Sequence, residues 1–349
     1  MSRAWQRGKT MGNRKKYGLN FLLIAGFTAG VLWFCLKDNL TAVMGMMSQI
    51  QILWLILTVL LLILYQGSIG WVLTRITRGT QPRYRLTQGV LNTVIAGFFH
   101  GITPSASGGQ FAQVYVFRKQ GVGLSEAAGI LWLEFIVYQA VMLLVTLALI
   151  LLRLPYFYSR YSQFFALVLI GFVLNSAVIV GLWALARYPR FYTWVSTTGL
   201  NLAVRVHLIH DREGAMVRLQ EQLNRFEAET RQFSRKKKLL VQLVLGNIVR
   251  LVLYYSVPVF CARTLGIALD LPMVLDMITL ASFVATVNAF IPIPGASGGT
   301  EATFVLMFST ILGTLSATSV MLLWRTATYV LPMAAGALSF LWVRGRKQV

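Results

Sequence analysis

Six stretches of this chain, at about 17–36, 50–73, 124–152, 164–186, 239–263 and 315–343, are each some twenty residues or longer and almost wholly apolar. A helix of about 20 residues rises roughly 30 Å, the thickness of a bilayer's hydrocarbon core. In lipid each backbone N–H and C=O must find a partner within its own segment, so helix is the form such runs take. They predict an all-α integral membrane protein of about six transmembrane helices, with residues 1–349 as a single membrane domain. Only 12% of the residues are charged, about half the share in a soluble domain. The net charge of +21 does not point to nucleic acid, because the cations lie between the apolar runs, as orientation signals do. Arg3, Arg7, Lys9, Arg14, Lys15 and Lys16 before Tyr17–Leu36 imitate a secretory signal. That run is too long for one and no small-residue cleavage site follows, so it reads as an uncleaved first span. Cys35 and Cys261 both sit in apolar spans, which indicates no disulfide framework.

Two further apolar stretches, 88–118 and 272–311, are each broken near the middle, by TPSASGGQ (103–110) and IPGASGGTE (293–301). Their arms are mostly too short to cross, so each reads as a re-entrant helical hairpin that returns to its own side. Non-helical backbone at that depth must be buried in protein or line a wet cavity. With both termini in the cytoplasm, this topology puts twenty-six of the 32 Lys and Arg residues inside. Lys37, Arg153, Arg160 and Arg263 fall outside, while Arg250 and Arg325 lie within spans. Treating either hairpin as a single crossing would spoil the asymmetry. Cysteines at positions 119 and 270 are therefore expected to label from opposite faces of the membrane in cells; labelling from the same face contradicts this topology. The one long polar segment, 187–238, carries Met216, Leu219, Leu223, Phe226 and Phe233 at heptad-like spacing, and Glu221/Arg225 and Glu227/Arg231 at i,i+4. It reads as a cytoplasmic amphipathic helix, lying on anionic headgroups or binding a partner.

The two glycine loops are near copies. Pro104-Ser-Ala-Ser-Gly-Gly109 aligns with Pro294-Gly-Ala-Ser-Gly-Gly299, and further on Leu124-Ser125 with Leu315-Ser316 and Tyr138 with Tyr329. Each belongs to a unit of span, hairpin and span, 50–152 and 239–343, and the two units enter the membrane from opposite sides. An inverted-topology repeat of this kind marks many alternating-access transporters, whose broken segments meet near the midplane. Ionisable side chains at that depth cost about 2.5–3.5 kcal/mol on insertion scales, so they are functional candidates. Glu134 lies ten residues into its span, and Arg325 holds the matching place in the second unit. Each is followed four residues later by a tyrosine, Tyr138 and Tyr329. With Arg250 and Glu301 they sum to zero charge, which suits either a structural ion-pair network or a polar path for a headgroup. Direct pairing of Glu134 with Arg325, or a shared polar cavity with Arg250 and Glu301, is expected.

A Ser-Gly-Gly turn opening a half-helix presents free N–H groups and a positive dipole end to an anion. Its alternative role is a tight turn with close packing. Pro104, Ser105, Ser107, Gly108, Gly109, Gln110 and Gln113 make up the first candidate cradle; Pro294, Ser297, Gly298, Gly299 and Glu301 make up the second. Glu301 is placed to cap its own half-helix, which leaves that tip less open to phosphate. His100, before the first loop, reads as a neutral histidine packed near the turn. No nucleophile elbow, Walker loop or zinc spacing is present in the sequence, so no catalytic residue, metal or cofactor is expected.

The phrases GITPSASGGQFAQVYVFRKQGV, EFIVYQ and IPIPGASGGTEATFVLMF resemble the lysylphosphatidylglycerol synthase transmembrane-region family, also called the flippase-like domain family, over roughly 17–343. In its multiple-peptide-resistance-factor members this domain carries aminoacylated phosphatidylglycerol to the outer leaflet, and a separate cytoplasmic domain makes that lipid from aminoacyl-tRNA. Residues Pro104 to Gln110, Gln113, Glu134, Tyr138, Pro292 to Gly299 and Glu301 carry the family pattern. Phe111 stands where many members have proline. The chain runs only six residues past its last span, so no aminoacyltransferase domain and no enzyme activity is expected in it. The resemblance implies a lipid translocase in a bacterial cell membrane, acting on an anionic or aminoacylated phospholipid, a glycolipid or a polyprenyl phosphate, with a link to antimicrobial-peptide resistance. Membrane lipids, a lipid-synthesising enzyme and a second copy of the chain are the candidate partners. An ion-coupled small-solute transporter is the alternative, since the repeat serves it equally, and a non-catalytic partner of a lipid-modifying synthase is a third class.

Overall fold

The computed structural model describes residues 50–103, 108–153, 237–288 and 296–346, together with positions 45, 48, 173, 176, 177, 180 and 181. Span 17–36 and almost all of span 164–186 and of segment 187–238 lie outside the described residues. Within them the regular structure is entirely helical: α1 (Ile52–Thr77), α2 (Leu86–Ile102), α3 (Gly108–Lys119), α4 (Leu124–Leu152), α5 (Lys237–Thr264), α6 (Leu271–Asn288), α7 (Gly299–Leu312), α8 (Thr314–Arg325), a π-helical turn (Thr326–Val330) and α9 (Leu331–Arg344). The chain is an all-α, multi-pass membrane protein. Among the described residues, five segments are long and apolar enough to cross a membrane: α1, α4, α5, α6 and the run Thr314–Arg344. Only 11% of the most apolar window of α1 is buried inside the protein. Ile52, Leu53, Ile56, Ile63 and Leu64 on α1 are exposed, an apolar surface that suits lipid and not water.

The hairpin breaks fall where the glycines predict, with α2 ending at Ile102 and α3 starting at Gly108, and α6 ending at Asn288 and α7 starting at Gly299. Three of the four arms have 17, 12 and 14 residues, short of a crossing. The length argument does not extend to α6. Its 18 residues are sufficient by length and apolarity to cross, and half of its apolar window is buried in protein.

The last span is not one regular helix. Leu331 donates its N–H to the Thr326 carbonyl, a bond one residue longer than the α pattern. Pro332 explains the change, because it has no N–H for the Thr328 carbonyl and its ring crowds that oxygen. Widening the preceding turn relieves the conflict, and Thr326 and Thr328 send their hydroxyls back to Leu322 O (2.8 Å) and Trp324 O (2.7 Å).

The described residues form two compact units. The first comprises residues up to 62 together with 95–109 and 255–338; the second comprises 63–94, 110–254 and 339–349. In the first, Gln51 N–H donates to Thr264 O (2.8 Å), the Thr58 and Thr264 hydroxyls lie 3.1 Å apart, and Trp54 meets Phe260 edge-on. Phe304 stacks on Phe308 and on Trp324 at the centre of the α7–α8 packing. In the second unit buried Tyr84 anchors the base of α2 and α3: its hydroxyl donates to Gln120 Oε1 (2.6 Å), and Gln120 Nε2 donates to Gln88 O (3.0 Å). Burial pushes the Tyr84 phenol above its ordinary pKa, with a smaller opposing pull from the Asn92 side chain.

Candidate functional site

In the second unit, Glu134 and Tyr138 lie one turn apart on α4, and Arg250 reaches them from α5. Arg250 Nη1 donates to Glu134 Oε1 at 2.8 Å. The guanidinium carbon stands 4.0 Å from the centre of the Tyr138 ring, an attraction that strengthens away from water. The two charged side chains are 13% and 18% exposed. Asn247, one turn before Arg250, holds its amide on Leu243 O (2.9 Å) and offers Oδ1 to Arg250 at a long 3.5 Å. Arg250 Nε is buried without a hydrogen-bond partner among the described residues.

In the first unit, Arg325 and Tyr329 again lie four residues apart, at the junction of α8 and the π turn, and the acid comes from the hairpin. Arg325 Nε donates to Glu301 Oε1 at 2.8 Å, and Arg325 Nη2 reaches Ser297 Oγ at 3.3 Å. Its guanidinium carbon stands 4.1 Å from the centre of the Tyr329 ring. Glu301 Oε2 accepts the Gly298 N–H at 2.6 Å, so the carboxylate caps the N-terminus of α7, as the sequence predicts. Gly298 has φ 87°, a left-handed conformation open mainly to glycine. Ala296 beside it also sits at positive φ (49°), an uncommon conformation for a residue with a Cβ.

The local fold explains the partner. Gly313 (φ 76°) caps α7 and starts α8, and Glu301 and Arg325 lie twelve residues on either side of it. Two antiparallel helices folded about that point bring the pair to one level. In the first repeat the position of Glu301 is taken by Phe111, which is 77% exposed. Glu134, lacking an acid-to-base partner on its own hairpin, takes Arg250 from α5. The expected Glu134–Arg325 pairing is therefore corrected: the ion pairs are Glu134–Arg250 and Glu301–Arg325. Each is a Glu–Arg–Tyr cluster, with the acid and the base exchanging helices between the two.

At the first tip Gly108 N–H donates to Thr103 Oγ1 (2.8 Å), a neutral cap in place of a carboxylate. Gly109 is buried against the His100 imidazole: a Cβ there would lie 2.2 Å from Cε1. The Tyr329 hydroxyl donates to Gly101 O (3.0 Å) and ties the first hairpin's tip region to the second cluster within the first unit. Gln113 is buried, and its main-chain carbonyl accepts from Asn92 Nδ2 (3.3 Å), while Gln110 is exposed. Pro104, Ser105, Ser107 and Pro294 lie outside the described residues. Gly299 is the first residue of α7.

Two residues escaped the sequence reading. Asn247 was signalled only by its position one turn before Arg250. Asp276 on α6 is 6% exposed amid buried Thr279, Ser282 and Thr286; a carboxylate in an apolar run was its signal. Among the described residues no group of three or more His, Cys, Asp or Glu is placed to hold a metal ion.

With the paired hairpins and intramembrane clusters in place, residues 19–336 match the family model of the lysylphosphatidylglycerol synthase transmembrane region. The chain belongs to that family. Within the lysylphosphatidylglycerol synthase transmembrane-region fold, both Glu–Arg–Tyr clusters and both glycine loops fall inside the matched segment. Comparisons with curated proteins and with solved structures produced no match.

Proposed function

We propose that this protein is a lipid translocase that passes a phospholipid headgroup between the leaflets of a bacterial cell membrane, with both termini cytoplasmic. The observation that carries this reading is the pair of largely buried Glu–Arg–Tyr clusters. An arginine held by a carboxylate and faced by a tyrosine is a dipolar site: the guanidinium suits a phosphate and the carboxylate suits an ammonium. A headgroup carrying both, such as an aminoacylated phosphatidylglycerol, can exchange with the internal pair without leaving a bare charge in the bilayer. That chemistry agrees with the lipid named in the family's description. The lipid tails stay in the hydrocarbon, and the chain acts as a carrier and not as the enzyme that makes the lipid.

The test is a reconstituted assay in which labelled anionic, aminoacylated and zwitterionic lipids are followed from one leaflet to the other. Transport is expected for the aminoacylated lipid in preference to the zwitterionic one. The double change Glu134→Gln, Arg250→Gln removes both charges and leaves no bare one, so it is expected to fold and to lose transport. A folded double variant that still moves lipid reduces this pair to a structural staple. Failure to move any lipid of the panel overturns the translocase reading.

A further inference from the structure

We propose that the basic end of the second unit, where the C-termini of α3 and α9 come together, is a binding site for a phospholipid carrying two phosphates. This site is separate from the midplane clusters and does not rest on the translocase reading. Lys119, the last residue of α3, donates its ammonium to the main-chain carbonyl of Arg346, just past the end of α9. Arg346 in turn lies over the Trp342 ring, with its guanidinium carbon 3.8 Å from the ring centre. Lys119 Nζ stands 5.7 Å from the centre of the Tyr115 ring, which packs beside Phe340 at 6.0 Å. Arg118 and Arg344 stand next to these two in the chain, and both are exposed.

Four cations thus gather at two joined helix ends, and none of them forms an ion pair with a described residue. Among the described acids, Glu126 turns its Oε2 to other partners: it accepts from Gly123 N–H (3.3 Å) and Gln81 Nε2 (3.4 Å). The two helix C-termini supply about half a negative charge each, which leaves an excess of about three positive charges. Like charges held this close repel, and among the described residues no acid is paired with them there.

The surroundings say which anion fits. Trp342 and Tyr115 are 48% and 39% exposed, and half-exposed aromatics beside cations mark the headgroup level of a membrane-spanning protein. Basic pockets between spans at that level take lipid headgroups with several phosphates. The cations come as two pairs on two helix ends, Arg118 with Lys119 and Arg344 with Arg346. One phosphate satisfies one pair, and a second phosphate on the same lipid reaches the other pair at high effective concentration. The cation–π contact and the Lys119–carbonyl bond hold two of the four in place before the lipid arrives.

The test uses the full chain purified in detergent. Its intrinsic tryptophan fluorescence is titrated with diphosphatidylglycerol, with phosphatidylglycerol at equal total phosphate, with phosphatidylcholine and with inorganic pyrophosphate. Diphosphatidylglycerol is expected to bind at least about tenfold more tightly than phosphatidylglycerol, and Lys119→Gln with Arg346→Gln is expected to abolish that preference. Arg83→Gln with Arg85→Gln, on the loop after α1, is expected to leave it intact. Should the first double variant not fold, Arg118→Gln with Arg344→Gln takes its place with the same expectation. Equal affinity per phosphate, a preference that survives both double variants, or pyrophosphate binding as tightly as the lipid each overturns the proposal.

Discussion

Neutralising Arg325 alone, as Arg325→Gln, is expected to cost about 3–5 kcal/mol of stability, the range for stripping one partner from a buried ion pair. The cost falls on Glu301. Its side chain is 1% exposed, and without Arg325 its hydrogen bond from Gly298 N–H is left to hold a full charge out of water. Changing both residues, Glu301→Gln with Arg325→Gln, removes the bare charge and keeps the volume of the Glu301 side chain. It is expected to be markedly milder than the single change, despite altering more of the site. The comparison is read from the temperature at which detergent-purified protein loses its monodisperse peak. The Arg250→Gln change is expected to fall between the two, because Glu134 is 18% exposed and retains some access to polar surroundings. Equal losses for the single and double changes in the Glu301–Arg325 pair contradict the account of a buried charge needing its counterion.

Gly109→Val is expected to abolish transport while the protein still reaches the membrane. A Cβ at that position would lie 2.2 Å from His100 Cε1 and 2.3 Å from both ring nitrogens, inside the imidazole itself. The ring must swing away or the two arms of the hairpin must part, and overpacking of this kind costs about 1–3 kcal/mol. The disturbance spreads along a short route, since His100 precedes Gly101, whose carbonyl holds the Tyr329 hydroxyl beside Arg325. If the clash is the cause, Gly109→Ala combined with His100→Ala should recover much of what Gly109→Ala loses. Wild-type transport by Gly109→Val means that close approach at the first tip is not needed.

The predicted spans that fall within the described residues were legible because charge marks their ends. The predicted 124–152 is found as Leu124–Leu152, 239–263 as Lys237–Thr264, and 315–343 as Thr314–Arg344. The breaks at both glycine loops were legible too, from residue types that accept unusual backbone. So were the residues of the two clusters, since Glu134, Arg250, Glu301 and Arg325 are conspicuous in apolar sequence. Their pairing was not. A partner depends on how far each helix is turned about its axis and on where a hairpin folds back, and the turn at Gly313 outranked the likeness of Glu134 to Arg325. The π turn was hidden for a different reason. Pro332 announces a disturbance, but whether a helix kinks, breaks or widens there depends on the hydroxyls and neighbours that take up the slack.

The two ion pairs differ in how far apart their members lie along the chain, by 116 residues for Glu134 and Arg250 and by 24 for Glu301 and Arg325. Chains leave the ribosome at about 5–20 residues per second. Glu301 thus meets its arginine within about one to five seconds of synthesis, as soon as one short hairpin has closed. Glu134 must wait on the order of ten seconds for Arg250 to be made. The first half of the protein is therefore born in a state it cannot keep, and its exposure to membrane quality control is set by the speed of translation through the segment that separates the two.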